Sequence, residues 1–170
     1  MKILITNDDG IENIGIRLLA EWAKRLGEVT VIAPKVEQSG MSHAIDFIHP
    51  IEIKKVMIAP DVEAYSMDST PADCVRFGVL GLKEHFDLVL SGINRGYNLG
   101  SDIVYSGTVA AIFEAARLGV KGIALSAEPA HFEAAAEIRD KELKHRNKLE
   151  KIKRDWQKKS ELQDNVVDDE

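Results

Sequence analysis

Cysteine is almost absent from this chain. Cys74 stands alone in 170 residues, so no internal disulfide can form. No charged start followed by an apolar stretch reads as a secretory signal, and the two absences together lead us to expect a cytoplasmic protein. No segment approaches the roughly 18 consecutive apolar residues that a membrane helix needs. Positive charge is in deficit too, with 22 Lys and Arg against 28 Asp and Glu and a net charge of −6. That balance argues against general affinity for nucleic acid or an anionic membrane, while leaving a small phosphate bound through a metal open. There is no Gly-x-Gly-x-x-Gly after the first strand and no P-loop, which removes dinucleotide binding and Walker-type nucleotide binding. The histidines His43, His49, His85, His131 and His145 do not cluster at metal-ligand spacing. They name no catalytic acid; His43, close to Ser39, is the one worth testing, and the other four read as solvated or packing residues.

What the chain does have is an apolar share of 45%, enough for one domain with a real core plus a tail. The apolar run Lys2-Ile3-Leu4-Ile5-Thr6 reads as a buried parallel strand, and it discharges into Asn7-Asp8-Asp9-Gly10. Ligands of open parallel sheets bind at the carboxyl ends of strands, so Asp8 and Asp9 are candidates for holding a hard cation. The plain alternative is that Asp-Asp-Gly serves as a turn and helix entry.

Helical spacing follows over residues 15–26, ended by Gly27. A second buried strand, residues 29–33, is closed by Pro34 and runs into the polar loop holding Ser39, Gly40, Ser42 and His43. Residues 44–67 read as an irregular insertion on the sheet, with Ala64-Tyr65-Ser66 as an edge piece. Thr70-Pro71-Ala72-Asp73 predicts a capped helix running to about Leu82, with Cys74 a small core residue.

Residues 86–90 predict a further strand, leading into a loop with Asn94, Gly96, Asn98 and Gly100 that can bring its backbone close to a ligand. Ser106, Gly107 and Thr108 precede a helix over residues 109–118, where free N–H groups and hydroxyls make a phosphate cradle. Plain N-capping would explain the same residues. Residues 122–126 supply another strand. Alternating strands and helices predict an α/β fold, a doubly wound, mostly parallel sheet.

Beyond about residue 138 the composition shifts. We expect residues 1–138 to form the metal- and phosphate-binding domain and residues 139–170 a charged tail, helical or partly disordered. Glu142 with Arg146, Glu150 with Arg154 and Asp155 with Lys159 are spaced to pair on one helix, beside a thin stripe of Leu149, Ile152 and Trp156. A solvated helix fits this better than a nucleic-acid arm.

The polar clusters combine at one sheet edge. Asp8, Asp9, Ser39 and Asn94 offer two carboxylates, a hydroxyl and an amide carbonyl, a donor set for one hard divalent ion such as Mg²⁺ or Mn²⁺. Ser106, Gly107 and Thr108 can hold an anion against it, as phosphoester hydrolysis requires.

Five ordered motifs carry a resemblance. They are Thr6-Asn7-Asp8-Asp9-Gly10-Ile11; Ser39-Gly40 with Ser42-His43; Ser69-Thr70-Pro71-Ala72-Asp73-Cys74; Ser91-Gly92-Ile93-Asn94 with Gly96 and Asn98; and Tyr105-Ser106-Gly107-Thr108. In order and spacing, over about the first four-fifths of the chain, they resemble the survival protein E (SurE) family of metal-dependent 5'/3'-nucleotidases. The resemblance implies a divalent metal on Asp8, Asp9, Ser39 and Asn94, with Asn94, Asn98, Ser106, Gly107 and Thr108 toward the phosphate and Asp9 and Asp8 carrying the catalysis. It implies a phosphomonoesterase acting on nucleoside 5'- and 3'-monophosphates, in some members also on short polyphosphate, a Rossmann-like amino-terminal domain, and a homodimer or tetramer. Family members are usually longer, with a carboxyl-terminal section that helps assembly; a charged stretch stands at that place here.

Three other readings compete with this one. A signalling receiver domain needs a phosphoacceptor Asp at the end of its central strand, where this chain has Ser91-Gly92-Ile93-Asn94. An aspartyl-nucleophile phosphatase commonly uses two Asp separated by one residue, whereas adjacent Asp8 and Asp9 alternate across the strand. A non-catalytic metal-binding remnant is the third.

Overall fold

The protein was analysed as a computed structural model, which describes residues 1–128 together with 134, 137, 141, 144, 145 and 147–154. The chain divides into two compact units, Met1–Phe132 and Glu133–Glu170.

The first unit is built on six strands: β1 (Lys2–Thr6), β2 (Glu28–Pro34), β3 (Ile53–Val56), β4 (Glu63–Met67), β5 (Leu88–Arg95) and β6 (Lys121–Ala127). Three α-helices accompany them, α1 (Ile14–Ala23), α2 (Pro71–Arg76) and α3 (Gly107–Arg117). The sheet order is β3-β4-β2-β1-β5-β6, parallel throughout except for the antiparallel edge pair β3–β4. The doubly wound α/β expectation holds.

Strand alternation sorts the core onto two faces. Ile3 and Ile5 turn to one side, packing with Ile16, Leu19 and Ala20 of α1 and Val31 of β2. Leu4 turns to the other, with Ile32, Cys74, Val75, Phe86 and Val89 and with Ala111 and Ala115 of α3. Each fully buried Ile or Leu contributes about 1.5–3 kcal/mol by leaving water. Cys74 is a buried core residue whose thiol burial pushes far above the usual range.

Two details depart from expectation. Ala64-Tyr65-Ser66 is not an edge piece: β4 lies inside the sheet, parallel to β2 with Thr30 opposite Glu63 and Pro34 opposite Met67. The true edge is β3, whose exposed Lys54 and Lys55 suit a strand with an unpaired side. The helix expected to continue to Leu82 is α-helical only to Arg76 and then becomes a π-helical turn, Phe77–Gly81. Gly78 and Gly81 weaken α-helical persistence there.

In the second unit the described residues are helical and exposed. Glu150 meets Lys153 at 3.8 Å, while Arg154 donates to the Glu150 carbonyl rather than to its carboxylate. Leu149 and Ile152 are exposed. Glu142, Arg146, Asp155, Trp156 and Lys159 lie outside the described residues. Among the described residues no helix is long and apolar enough to cross a membrane.

Candidate active site

The strand order decides where a site can form. From β1 the chain moves outward through β2 to the edge strand β3, steps back to β4 between them, and then crosses to the opposite side of β1 as β5. The connections leaving β1 and β5 therefore part company, opening a crevice at their carboxyl ends. Asp8 and Asp9 follow β1 there, and Asn94 and Arg95 end β5.

A cleft of about 450 Å³ occupies that crevice, lined by Asp8, Asp9, Ser39, Asn94, Asn98 and Ser106 together with Asn13, Glu37, Gly40, Arg95, Asp102 and Tyr105. The structure thus brings six of the expected residues to one opening. Gly107 and Thr108 are buried and do not line it. They stand behind Asp8: the Thr108 hydroxyl donates to Asp8 Oδ1. A Cβ on Gly107 would lie 2.8 Å from Asp8 Cβ and 3.1 Å from its Oδ2, so only glycine lets α3 approach this closely.

Asp8 is buried, and its backbone carbonyl accepts from Gln38 N–H at 2.7 Å, tying the second loop to the first. Asp9 differs from it electrostatically. Desolvation, then the neighbouring charge of Asp8, push its carboxyl up to about 6; Glu37 adds to the rise, while the backbone N–H and charge of Arg95 oppose it. Asp9 Oδ2 is buried without a hydrogen-bond partner. A carboxylate oxygen in that condition accepts either a proton or a cation.

The other oxygen donors are set to accept. Ser39 Oγ donates to Glu37 Oε1 at 2.6 Å, which spends its proton and leaves lone pairs for a cation. Asn94 donates through Nδ2 to the Gly96 carbonyl at 2.8 Å, leaving Oδ1 as its free chemistry. Asn98 Nδ2 is committed to Ser126 Oγ at 2.9 Å. Ser106 caps α3 by accepting from Val109 N–H at 3.2 Å, and it lines the cleft at the amino end of that helix. Among the described residues no three His, Cys, Asp or Glu side chains gather into a metal site by themselves. A two-carboxylate set completed by Ser39 and Asn94 is compatible with that, and the oxygen-only donors fit a hard cation rather than a thiophilic one.

The Ser69–Cys74 motif has a structural task. Asp73 Oδ2 accepts from Ser69 Oγ at 2.6 Å and from Asp46 N–H at 2.8 Å, while the Thr70 hydroxyl oxygen caps α2 by accepting from Asp73 N–H. His43 does not line the cleft; its Nε2 sits 3.0 Å from Glu114 Oε2 on α3. His49 pairs with Asp46 and His85 with Asp87, His145 is exposed, and His131 lies outside the described residues. Sequence reasoning missed Glu37, Arg95, Asn13 and Asp102 as lining groups. Only proximity to recognised motifs could have flagged them, because their convergence depends on how the loops fold back.

The comparisons with known proteins concern the chain and its fold. The family described as "Survival protein SurE" matches residues 3–166. A protein named 5'-nucleotidase SurE from a Thermoanaerobacter species is 50% identical over 135 residues, covering 78% of this chain and 54% of that protein. Another of the same name from Thermosipho melanesiensis is 50% identical over 127 residues, covering 74% and 50%. The crystal structure of the SurE protein from Aquifex aeolicus superimposes with a TM-score of 0.68 at 40% identity, over 83% of this chain and 59% of that one. The chain spans about half the length of the curated relatives it matches. With the switch-point cleft, the buried Asp8 and the five motifs in their places, this chain belongs to the SurE family.

Proposed function

We propose that the chain is a divalent-cation-dependent phosphomonoesterase that hydrolyses nucleoside 5'- and 3'-monophosphates to nucleoside and phosphate, with short polyphosphate as a further substrate. The observation that carries this is the unpartnered, buried Oδ2 of Asp9 in a cleft lined only by oxygen donors and one cation among its described residues. Asp8, Asp9, Ser39 and Asn94 would hold one ion, Mg²⁺ or Mn²⁺. When bound, it acidifies a water molecule and offsets phosphate charge.

The remaining work belongs to the chain. Asp8, fixed by the Thr108 hydroxyl, anchors the cation side of the cleft. Asp9, through the carboxylate oxygen not given to the cation, would take the proton of that water. Ser106 at the amino end of α3, and Asn98 through the amide hydrogen not given to Ser126, would receive the phosphate oxygens. Residues 1–138 form the metal- and phosphate-binding part, and assembly into a homodimer or tetramer belongs to the same reading.

The charge of the cleft gives Arg95 a place in substrate binding. Among the described lining residues it is the one cation beside four carboxylates, Asp8, Asp9, Glu37 and Asp102. A phosphate dianion entering there needs positive charge besides the metal. Arg95→Ala is expected to raise KM for a nucleoside monophosphate roughly 10-fold with a smaller change in kcat, since charge-assisted hydrogen bonds are about 1.5–3 kcal/mol each. Steady-state kinetics at fixed Mn²⁺ checks it, and an unchanged KM would remove Arg95 from the binding set.

The function is tested by phosphate release from a panel of nucleoside 5'- and 3'-monophosphates with Mn²⁺, Mg²⁺ or chelator, beside Asp8→Ala. The expected result is metal-dependent release that falls on the order of 10²-fold or more in the variant. A folded chain that binds Mn²⁺ but releases no phosphate would support the second reading, a metal-binding domain without catalysis.

A further inference from the structure

The loop carrying Ser39 has neither helix nor strand from residue 35 to residue 52, and most of its residues are exposed. Its position therefore rests on a few tethers. Near Ser39 these are the Gln38 N–H on the Asp8 carbonyl at 2.7 Å, the Ser42 N–H on the Tyr105 carbonyl at 3.1 Å, and the His43 ring on Glu114 at 3.0 Å. Further along, Thr70 Oγ1 donates to the Ala44 carbonyl at 2.7 Å. Ser42 has φ of +53°, a region that a residue with a side chain rarely occupies, and it is held there between the Tyr105 and Glu114 tethers.

Glu114 is an unusual anchor. It is buried to 2% exposure, and its carboxylate accepts from Arg76 Nη1 at 3.0 Å and from Arg117 Nε at 3.0 Å and Nη2 at 2.7 Å as well as meeting His43. Arg76 ends α2, so the anchor locks α2 to α3. The amino end of α3 carries Ser106 at the cleft and Thr108 on Asp8. One rigid body therefore fixes Asp8 at one end and grips the Ser39 loop at the other.

We propose that His43 is a positioning residue: through Glu114 it clamps the Ser39 loop to α3, setting Ser39 against Asp8 and Asp9 for the cation. The proposal rests on the metal-binding reading of those residues given above. A half-exposed His–Glu pair adds little to global stability, so the consequence of losing it falls on the loop. Glu114 keeps both guanidinium partners without His43, so the α2–α3 junction stays intact.

The experiment compares wild type, His43→Ala and His43→Gln by Mn²⁺ titration calorimetry, thermal melting and amide hydrogen exchange. Glutamine keeps an N–H that can reach the Glu114 carboxylate. His43→Ala should weaken Mn²⁺ binding roughly 10-fold or more, as loss of a group supporting a metal ligand does. Its melting temperature should stay within about 2 °C of wild type, and His43→Gln should recover most of the affinity. Unchanged Mn²⁺ affinity in His43→Ala overturns the clamp. So does a loss of affinity that merely tracks a fallen melting temperature and that glutamine does not restore. Should the wild-type chain bind no Mn²⁺, the metal reading itself fails, and exchange of the amides of residues 37–43 decides the clamp separately. Faster exchange in His43→Ala than in wild type and His43→Gln supports it, and equal exchange overturns it.

Discussion

Asp9→Asn is expected to stabilise the metal-free chain while abolishing its metal-dependent phosphate release. Burial and the adjacent Asp8 charge raise the Asp9 carboxyl from 3.8 to about 6 in the folded chain. A carboxyl whose folded pKa lies above its unfolded one binds more protons when folded, so stability falls as pH rises from about 4 to about 6 and stays lower above that. Two units would correspond to about 3 kcal/mol, and the partial exposure of Asp9 reduces that to about 1–2 kcal/mol at neutral pH. Asparagine carries no charge to desolvate. The variant should melt about 3–6 °C above wild type at pH 7.5 without metal, and the two should converge near pH 4.

Mn²⁺ should reverse the order by stabilising wild type more, because the cation takes up the exposed negative charge. The amide oxygen of asparagine can still ligate, so Mn²⁺ binding through Asp8, Ser39 and Asn94 persists. What is lost is the group that accepts a proton. Calorimetric melting across pH, with and without Mn²⁺, beside turnover, checks all of this. Equal turnover in the variant would take the proton-accepting role from Asp9.

Gly107→Ala is expected to do the opposite, costing both stability and metal. The added Cβ would lie 2.8 Å from Asp8 Cβ and 3.1 Å from Pro71 Cγ. Neither neighbour is the loose end of a flexible chain. Asp8 is held at its carboxylate by Thr108 and at its backbone carbonyl by Gln38 N–H, so relief requires α3 to back away from the sheet. Overpacking of this kind costs about 1–3 kcal/mol. Moving Asp8 by even a fraction of an ångström disrupts a ligand constellation, so Mn²⁺ affinity should fall roughly 10-fold or more. Ser106→Ala is the control: it removes the α3 cap at about 1 kcal/mol without touching Asp8. If Gly107→Ala binds Mn²⁺ as tightly as Ser106→Ala does, close approach of α3 is not what holds Asp8 in place.

The same pair of residues shows how much could be read in advance. Residues 2–6 announce a buried strand by composition alone, and Thr70 with Pro71 announces a helix start, because both signals are local. Asp8, Asp9, Ser39, Asn94 and Ser106 could be nominated because each follows a strand or opens a helix. The role of Thr108 could not. Its hydroxyl faces a carboxylate 100 positions away, and nothing local distinguishes a residue that touches phosphate from one that holds Asp8. β4 was misjudged for a related reason. Its alternation, with buried Ala64, Ser66 and Met67, describes a half-covered strand, and only the register with β2 shows that β3 covers its outer side.

Gly92 illustrates the limit from the backbone side. It sits at φ +137°, and a Cβ there would lie 2.3 Å from the Leu125 carbonyl, a contact set by the β5–β6 pairing rather than by its own neighbours. The sequence by itself determined the alternating strand and helix pattern, the oxygen-rich character of the loops and the family, since those depend on residue type and spacing along the chain. The tertiary structure alone decided that the connections leaving β1 and β5 part at the cleft, that Asp9 is left with an unpartnered oxygen, and that His43 reaches Glu114 instead of the substrate side. Burial, charge proximity and helix approach are relations between segments far apart in sequence, and they exist only once the sheet has closed its order.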